Sequence, residues 1–165
     1  MGNDGLGKQA ESKIREWLDK PELGYSFDRL PDQMTGWHGS KNICDFTCFK
    51  APYMYYIESK ATWEDRFSFS MISEYQLEHL LQKSKIYNVY GLIVVLFATY
   101  KRAFIFKIGD IKEAVDNGIK SINIKKIDKW TIPNVEISTI PNNRKKLLDY
   151  TGAIEEYIGN EEVKL

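Results

Sequence analysis

Apolar residues near the start of the chain recur at helical spacing. Leu6, Ala10, Ile14, Trp17 and Leu18 fall on one stripe, and Pro21 ends the pattern, which predicts an amphipathic helix. The period then shortens. Tyr25 to Leu30 reads as a short strand, and Ile43 to Phe49 and Tyr53 to Ala61 read as two more around a turn at Lys50-Ala51-Pro52. Pro31 to Asn42 is a polar, Gly-containing loop with Trp37 and His38 at its centre. Ser73 to Tyr87 predicts a second helix, with Ser73 as N-cap and Gln76 placed to complete a capping box. Leu92 to Ala98 is continuously apolar, as a central strand covered on both faces would be. Ala103 to Ile108 predicts its neighbour across a tight connection at Thr99 to Arg102, and Asp110 to Asn117, closed by Gly118, a short helix. Ser121 to Asn143 leaves room for two short strands, and Leu147 to Ile158 for a final short helix. This order predicts an α/β or α+β fold, a single sheet with flanking helices, and a length of 165 residues suits one domain over 1–165.

The pattern also predicts a register. With the turn centred between Ala51 and Pro52, Asp45 stands opposite Glu58, and opposed residues of an antiparallel pair share a face. Glu58 and Lys60, two apart on the same strand, point the same way. Two carboxylates and a lysine on one face suffice for metal-assisted cleavage of a phosphodiester. The acids hold a hard divalent cation, and the lysine orients or activates the attacking water. Taken alone the triplet is short, and a surface ion pair is its commoner meaning. Its place at a strand end raises it, as does Glu11 beside the apolar stripe of the first helix.

Composition narrows the field. The 43% apolar and 13% aromatic residues can fill a core. Cys44 and Cys48 are too few for a disulfide framework or a structural zinc site; they read as small buried hydrophobes facing the same way, in a reducing cytoplasm. No apolar run is long enough to span a membrane. Net charge is zero, but Lys101 to Lys146 holds 11 Lys/Arg against 5 Asp/Glu, or +6, which leaves −6 for the remainder. A basic half beside an acidic site suits a phosphate ligand, although a lysine-rich surface alone is more often just solvated. Gly2 to Gln9 approaches a phosphate-binding loop but ends in Gln9 where the motif needs Ser or Thr, and no strand precedes it, so flexible glycines explain it better. His38 and His79 accompany no nucleophile motif.

Glu11, Asp45 and Glu58-Ser59-Lys60, one hairpin apart, resemble the PD-(D/E)xK nuclease superfamily. Within it, Glu58-Ser59-Lys60-Ala61-Thr62, the segment Phe67 to Met71 and Tyr75-Gln76-Leu77-Glu78-His79-Leu80 resemble the RecU group of Holliday junction resolvases, phage-encoded members included. The similarity is strongest from Asp45 to Ala98. Cys44 stands where the superfamily often has Pro, Tyr75 replaces a His, and only Pro31 to Asn42 stands where RecU proteins carry a long β-stalk. The resemblance implies a restriction-endonuclease-like mixed sheet flanked by helices, and a structure-selective endonuclease that resolves four-way junctions by paired nicks. It implies Mg²⁺, with Mn²⁺ able to substitute, held by Asp45, Glu58, the Ser59 carbonyl and Glu11. Lys60 would position the water, and Gln76 a water or the scissile phosphate. Trp37, Ser40, Lys41, Lys101 and Arg102 are the expected DNA contacts, Ser40 after the loop serine of archaeal resolvases. Two symmetric cuts imply a homodimer, for which ten tyrosines and four tryptophans offer spare apolar surface. The alternatives are a restriction- or repair-type nickase on this fold, and a non-catalytic DNA-binding protein.

Overall fold

The computed structural model describes residues 3–31, 41–142 and 145–149. The first helix, α1 (Asn3–Leu18), buries Leu6, Ala10, Ile14, Trp17 and Leu18 as their spacing predicts. Gly5 and Gly7 lie inside this helix, so the expectation of flexible N-terminal glycines is corrected. A short 3-10 turn at Pro21–Leu23 ends in Gly24, whose φ of 71° is open to a residue without Cβ, and the chain enters β1 (Ser26–Arg29). Then come β2 (Phe46–Lys50), β3 (Tyr53–Thr62), β4 (Arg66–Ser68), α2 (Glu74–Lys83), β5 (Val89–Phe97), β6 (Arg102–Lys107), α3 (Ile108–Asp116), β7 (Ser121–Asn123), β8 (Val135–Asn142) and β9 (Lys145–Asp149).

The main sheet runs β1-β2-β3-β5-β6-β8-β9, and β4 pairs with β7 in a small second sheet. β3 and β5 are parallel, joined through α2, whereas the other neighbours are antiparallel, so the sheet is mixed. Strand β5 is buried from Gly91 to Phe97, as a central strand must be. Its alternate residues feed two cores. Leu92, Val94 and Leu96 pack with Ile57, Ile105 and the stripe of α1 on one face. Ile93, Val95 and Phe97 pack with Phe104, Phe106, Leu80 of α2 and Ile111 of α3 on the other. Each such Leu, Ile or Phe contributes about 1.5–3 kcal/mol on leaving water. Among the described residues no helix is long and apolar enough to cross a membrane.

Some expectations are corrected. Helix α2 stops at Lys83, short of Tyr87, because Ser84 caps it and its Oγ accepts from the Gly91 amide at 2.8 Å, tying the helix end to β5. Leu147, Leu148 and Asp149 belong to β9 rather than to a helix, since their backbone pairs with β8; 150–158 lie outside the described residues. Cys44 and Cys48 are free and buried as expected, but on opposite faces. Cys44 precedes β2, where strict alternation has not begun.

Candidate active site

The site forms where β2 and β3 part. Their register pairs Phe46 with Ile57, which puts Asp45 opposite Glu58 as the hairpin arithmetic predicts. Beyond that pair the Asp45 amide still donates to the Ile57 carbonyl at 3.0 Å. The next inward β3 amide, Ser59 N, donates instead to Asp45 Oδ2 at 2.7 Å. The carboxylate thereby satisfies the strand where the ladder has run out.

Glu58 is only 3% exposed, yet it is ionisable. Its Oε1 is 2.7 Å from Lys60 Nζ and accepts from Gln76 Nε2 at 2.7 Å. Gln76 reaches it because the residue is the fourth position of a capping box. Ser73 Oγ accepts from Gln76 N, and Gln76 Oε1 accepts from Ser73 N, both at 3.2 Å. Lys60 Nζ also donates to Gln76 Oε1 at 3.3 Å. The four-residue start of α2 thus holds the acid and the lysine of β3 in one network.

Electrostatically the lysine does not offset the burial of the two acids. Burial, then the neighbouring Glu58 charge, pushes the Asp45 carboxyl up to about 7 against the pull of the Ser59 amide. Burial also raises Glu58, opposed by Lys60 and Gln76. Cys44, buried beside both acids, is pushed up to about 12 and is no nucleophile. Glu58 Oε2 is buried and has no hydrogen-bond partner. An orphaned carboxylate oxygen near a second raised carboxylate suits a hard divalent cation with oxygen ligands.

Glu11 is drawn elsewhere. Its Oε2 accepts from Arg29 Nε at 2.8 Å and pairs with Arg29 Nη2 at 2.7 Å. Its charge still raises Asp45 and Glu58. Among the described residues no group of three or more His, Cys, Asp or Glu is gathered to hold a metal, so Asp45 and Glu58 stand as a pair, with Glu11 turned to Arg29. Arg29 is the residue that sequence reasoning missed. A lone arginine in a four-residue strand carries no signal until the fold sets it against α1.

The expected DNA contacts divide. Trp37 and Ser40 lie outside the described residues. Lys41 is exposed, four residues before Asp45. Lys101 is exposed in a left-handed turn, φ 52°, between β5 and β6. Arg102 forms a two-point pair with Glu136 at the surface, with Nε to Oε1 at 2.6 Å and Nη2 to Oε2 at 2.7 Å.

The mixed sheet and the Asp45, Glu58-x-Lys60 arrangement are those of the PD-(D/E)xK class of nucleases. The sequence profile of the family described as RecU, Recombination protein U, matches residues 29–156. The chain belongs to that family, one of Holliday junction resolvases. The match begins after Glu11 and contains Asp45, Glu58, Lys60 and Gln76. It also runs through the C-terminal half, where the resemblance read from the sequence fades. Among curated proteins no match was found. One solved structure with similarity is Hjc, a Holliday junction resolvase from the archaeal hyperthermophile Archaeoglobus fulgidus. It has 17% identity and a TM-score of 0.46, covering 63% of this chain and 78% of that one.

Proposed function

We propose that this protein is a single nuclease domain that resolves four-way DNA junctions with paired nicks, using Mg²⁺ at Asp45 and Glu58. The observation that carries the reading is the pair of raised carboxylates, one of them buried with an orphaned oxygen, beside a lysine held by Gln76. The Ser59 carbonyl is a further oxygen at the same strand end, and Glu11 joins through water or on release from Arg29. The cation, when bound, lowers the pKa of a water and offsets charge developing on the phosphate. Lys60, held on Glu58, orients the attacking water and neutralises the phosphorane. The water oxygen forms its bond to phosphorus as the bond to the 3′ oxygen breaks, leaving a 5′-phosphate and a 3′-hydroxyl. Gln76 keeps Glu58 Oε1 engaged so that Oε2 faces the cation.

A nickase on the same fold is the second reading, favoured by how little chain connects β1 to β2 for a junction-gripping stalk. One gel separates them. A synthetic four-way junction, a duplex and a single strand are incubated with Mg²⁺, with Mn²⁺ and with EDTA. Symmetric paired cuts of the junction alone, with either metal and none in EDTA, are expected. Equal nicking of the duplex would establish the nickase, and DNA binding without cutting in either metal would establish a non-catalytic protein.

A further inference from the structure

Beyond the catalytic strand a cleft of about 220 Å³ opens beside the β4–β7 sheet. Arg66, Lys126 and Lys129 line it with Ser121, Asn123 and Thr131, and no carboxylate does. Elsewhere in the basic half, Arg102 is matched by Glu136, Lys112 by Asp116 and Lys125 by Asp65. Among the described residues Arg66, Lys126 and Lys129 have no such match. Arg66 Nη1 instead donates to Ser121 Oγ at 2.8 Å, which aims the guanidinium along the cleft wall. The wall is firm. Arg66 pairs with Asn123 across β4 and β7, and Trp130 Nε1 donates to the Asn123 carbonyl at 3.0 Å while its ring packs on Phe104 at 4.9 Å. Three uncompensated cations with hydroxyl and amide neighbours on a fixed frame form an anion site, of the kind phosphate oxygens fill.

The cleft's position decides which phosphate. Arg66 follows Lys60 by six residues, so the chain cannot carry it more than about 20 Å away. At about 3.4 Å per base pair that is roughly six base pairs. We propose that Arg66, Lys126 and Lys129 form a phosphate clamp for the DNA backbone, gripping the substrate arm within about six base pairs of the scissile bond. The clamp rests on the nuclease reading above and supplies its positioning: a strand held there and at Lys60 has a fixed register over the metal acids.

Binding of the full-length protein to a labelled four-way junction, in EDTA so that nothing is cut, is measured between about 50 and 200 mM salt. The triple variant Arg66→Gln/Lys126→Gln/Lys129→Gln is compared with wild type and with Lys8→Gln/Arg15→Gln on α1, across the sheet. The log–log salt slope is expected to fall by roughly 0.9 per lost contact, about 2–3 for the triple variant, and to hold in the α1 control. Phosphate ethylation near the cut is expected to block wild type and to lose that block in the variant. Should the triple variant misfold by thermal melt, Lys126→Gln/Lys129→Gln, both exposed, is expected to lower the slope by about 2. An unchanged slope and ethylation pattern, or an equal loss in the control, overturns the clamp while leaving the nuclease reading intact. Wild type that neither binds nor cuts a junction in Mg²⁺ defeats both. Displacement of the junction by inorganic phosphate at matched ionic strength, with no ethylation footprint, makes the cleft a free-anion site and also overturns the clamp.

Discussion

Glu58 concentrates the conflict within this fold. It is buried, paired with Lys60, and left with one oxygen unpartnered, beside a second acid that burial and Glu58 itself have raised to about 7. The sign of the resulting pH dependence is fixed. Asp45 has a folded pKa above its unfolded value of 3.8, so its contribution to stability is fully present below about pH 4 and is lost as pH rises through about 7. In EDTA the melting temperature of wild type is therefore expected to fall across that window. Asp45→Asn keeps an acceptor for the Ser59 amide but removes the charge. It is expected to flatten the fall, to keep junction binding and to cut at least about 100-fold more slowly in Mg²⁺, the scale of losing one preorganised charge. Cleavage at the wild-type rate would remove Asp45 from the site. Lys60→Ala tests the other partner. Stripping the ammonium from buried Glu58 is expected to cost about 3 kcal/mol of stability. Turnover should collapse while calorimetric metal affinity holds; a loss of metal binding equal to that of Glu58→Ala would make Lys60 a structural ion-pair partner. At this scale the sequence is legible where geometry is local. A hairpin turn fixes Asp45 against Glu58, and strand alternation fixes Lys60. The Arg29–Glu11 pair joins β1 to α1 through the fold, so nothing near either residue announces it.

Among the elements, α2 meets the candidate site through Gln76, which contacts both Glu58 and Lys60. Ser73-x-x-Gln76 reads as a capping box in sequence and forms one, but only the fold reveals that the same amide holds Glu58. The two jobs separate by substitution. Gln76→Glu preserves an N3 acceptor for the box while setting a carboxylate against Glu58, so the melt of the Mg²⁺-loaded protein is expected to stay near wild type while junction cleavage falls at least about tenfold. Gln76→Ala removes both and is expected to lose about 1–2 kcal/mol as well. A Gln76→Glu variant that cuts normally would leave Gln76 with capping alone. The elements that escaped the sequence are those with too little pattern. Strands β4 and β7 have three residues each, pair over a separation of about a third of the chain, and offer no period to count. Leu147-Leu148 looks helical in isolation and becomes strand because β8 presents a free edge. Cys44 shows the same limit, since alternation holds only once Phe46 begins the ladder.

At the scale of the molecule, the tyrosines and tryptophans that suggested spare interface divide: Trp17 and Tyr55 are fully buried, whereas among the described residues Trp63 and Tyr87 are exposed, which marks no single apolar face. The case for a dimer then rests on the substrate. A four-way junction has near two-fold symmetry, and its resolution requires two matched incisions. Each chain supplies Asp45, Glu58 and Lys60 once, so on the proposed reading a single chain would cut one strand at a time, and release between cuts would leave a nicked, unresolved product. A C2 pair matches protein symmetry to DNA symmetry through a single self-complementary interface. With both sites on a common face, each clamp at Arg66, Lys126 and Lys129 would hold a different arm. Sedimentation at micromolar concentration, free and on a junction, is expected to show a dimer, and a mixture of wild type with Asp45→Asn is expected to accumulate singly nicked junction. A monomer in both conditions, with unpaired cuts, would defeat the resolvase geometry and leave the nickase.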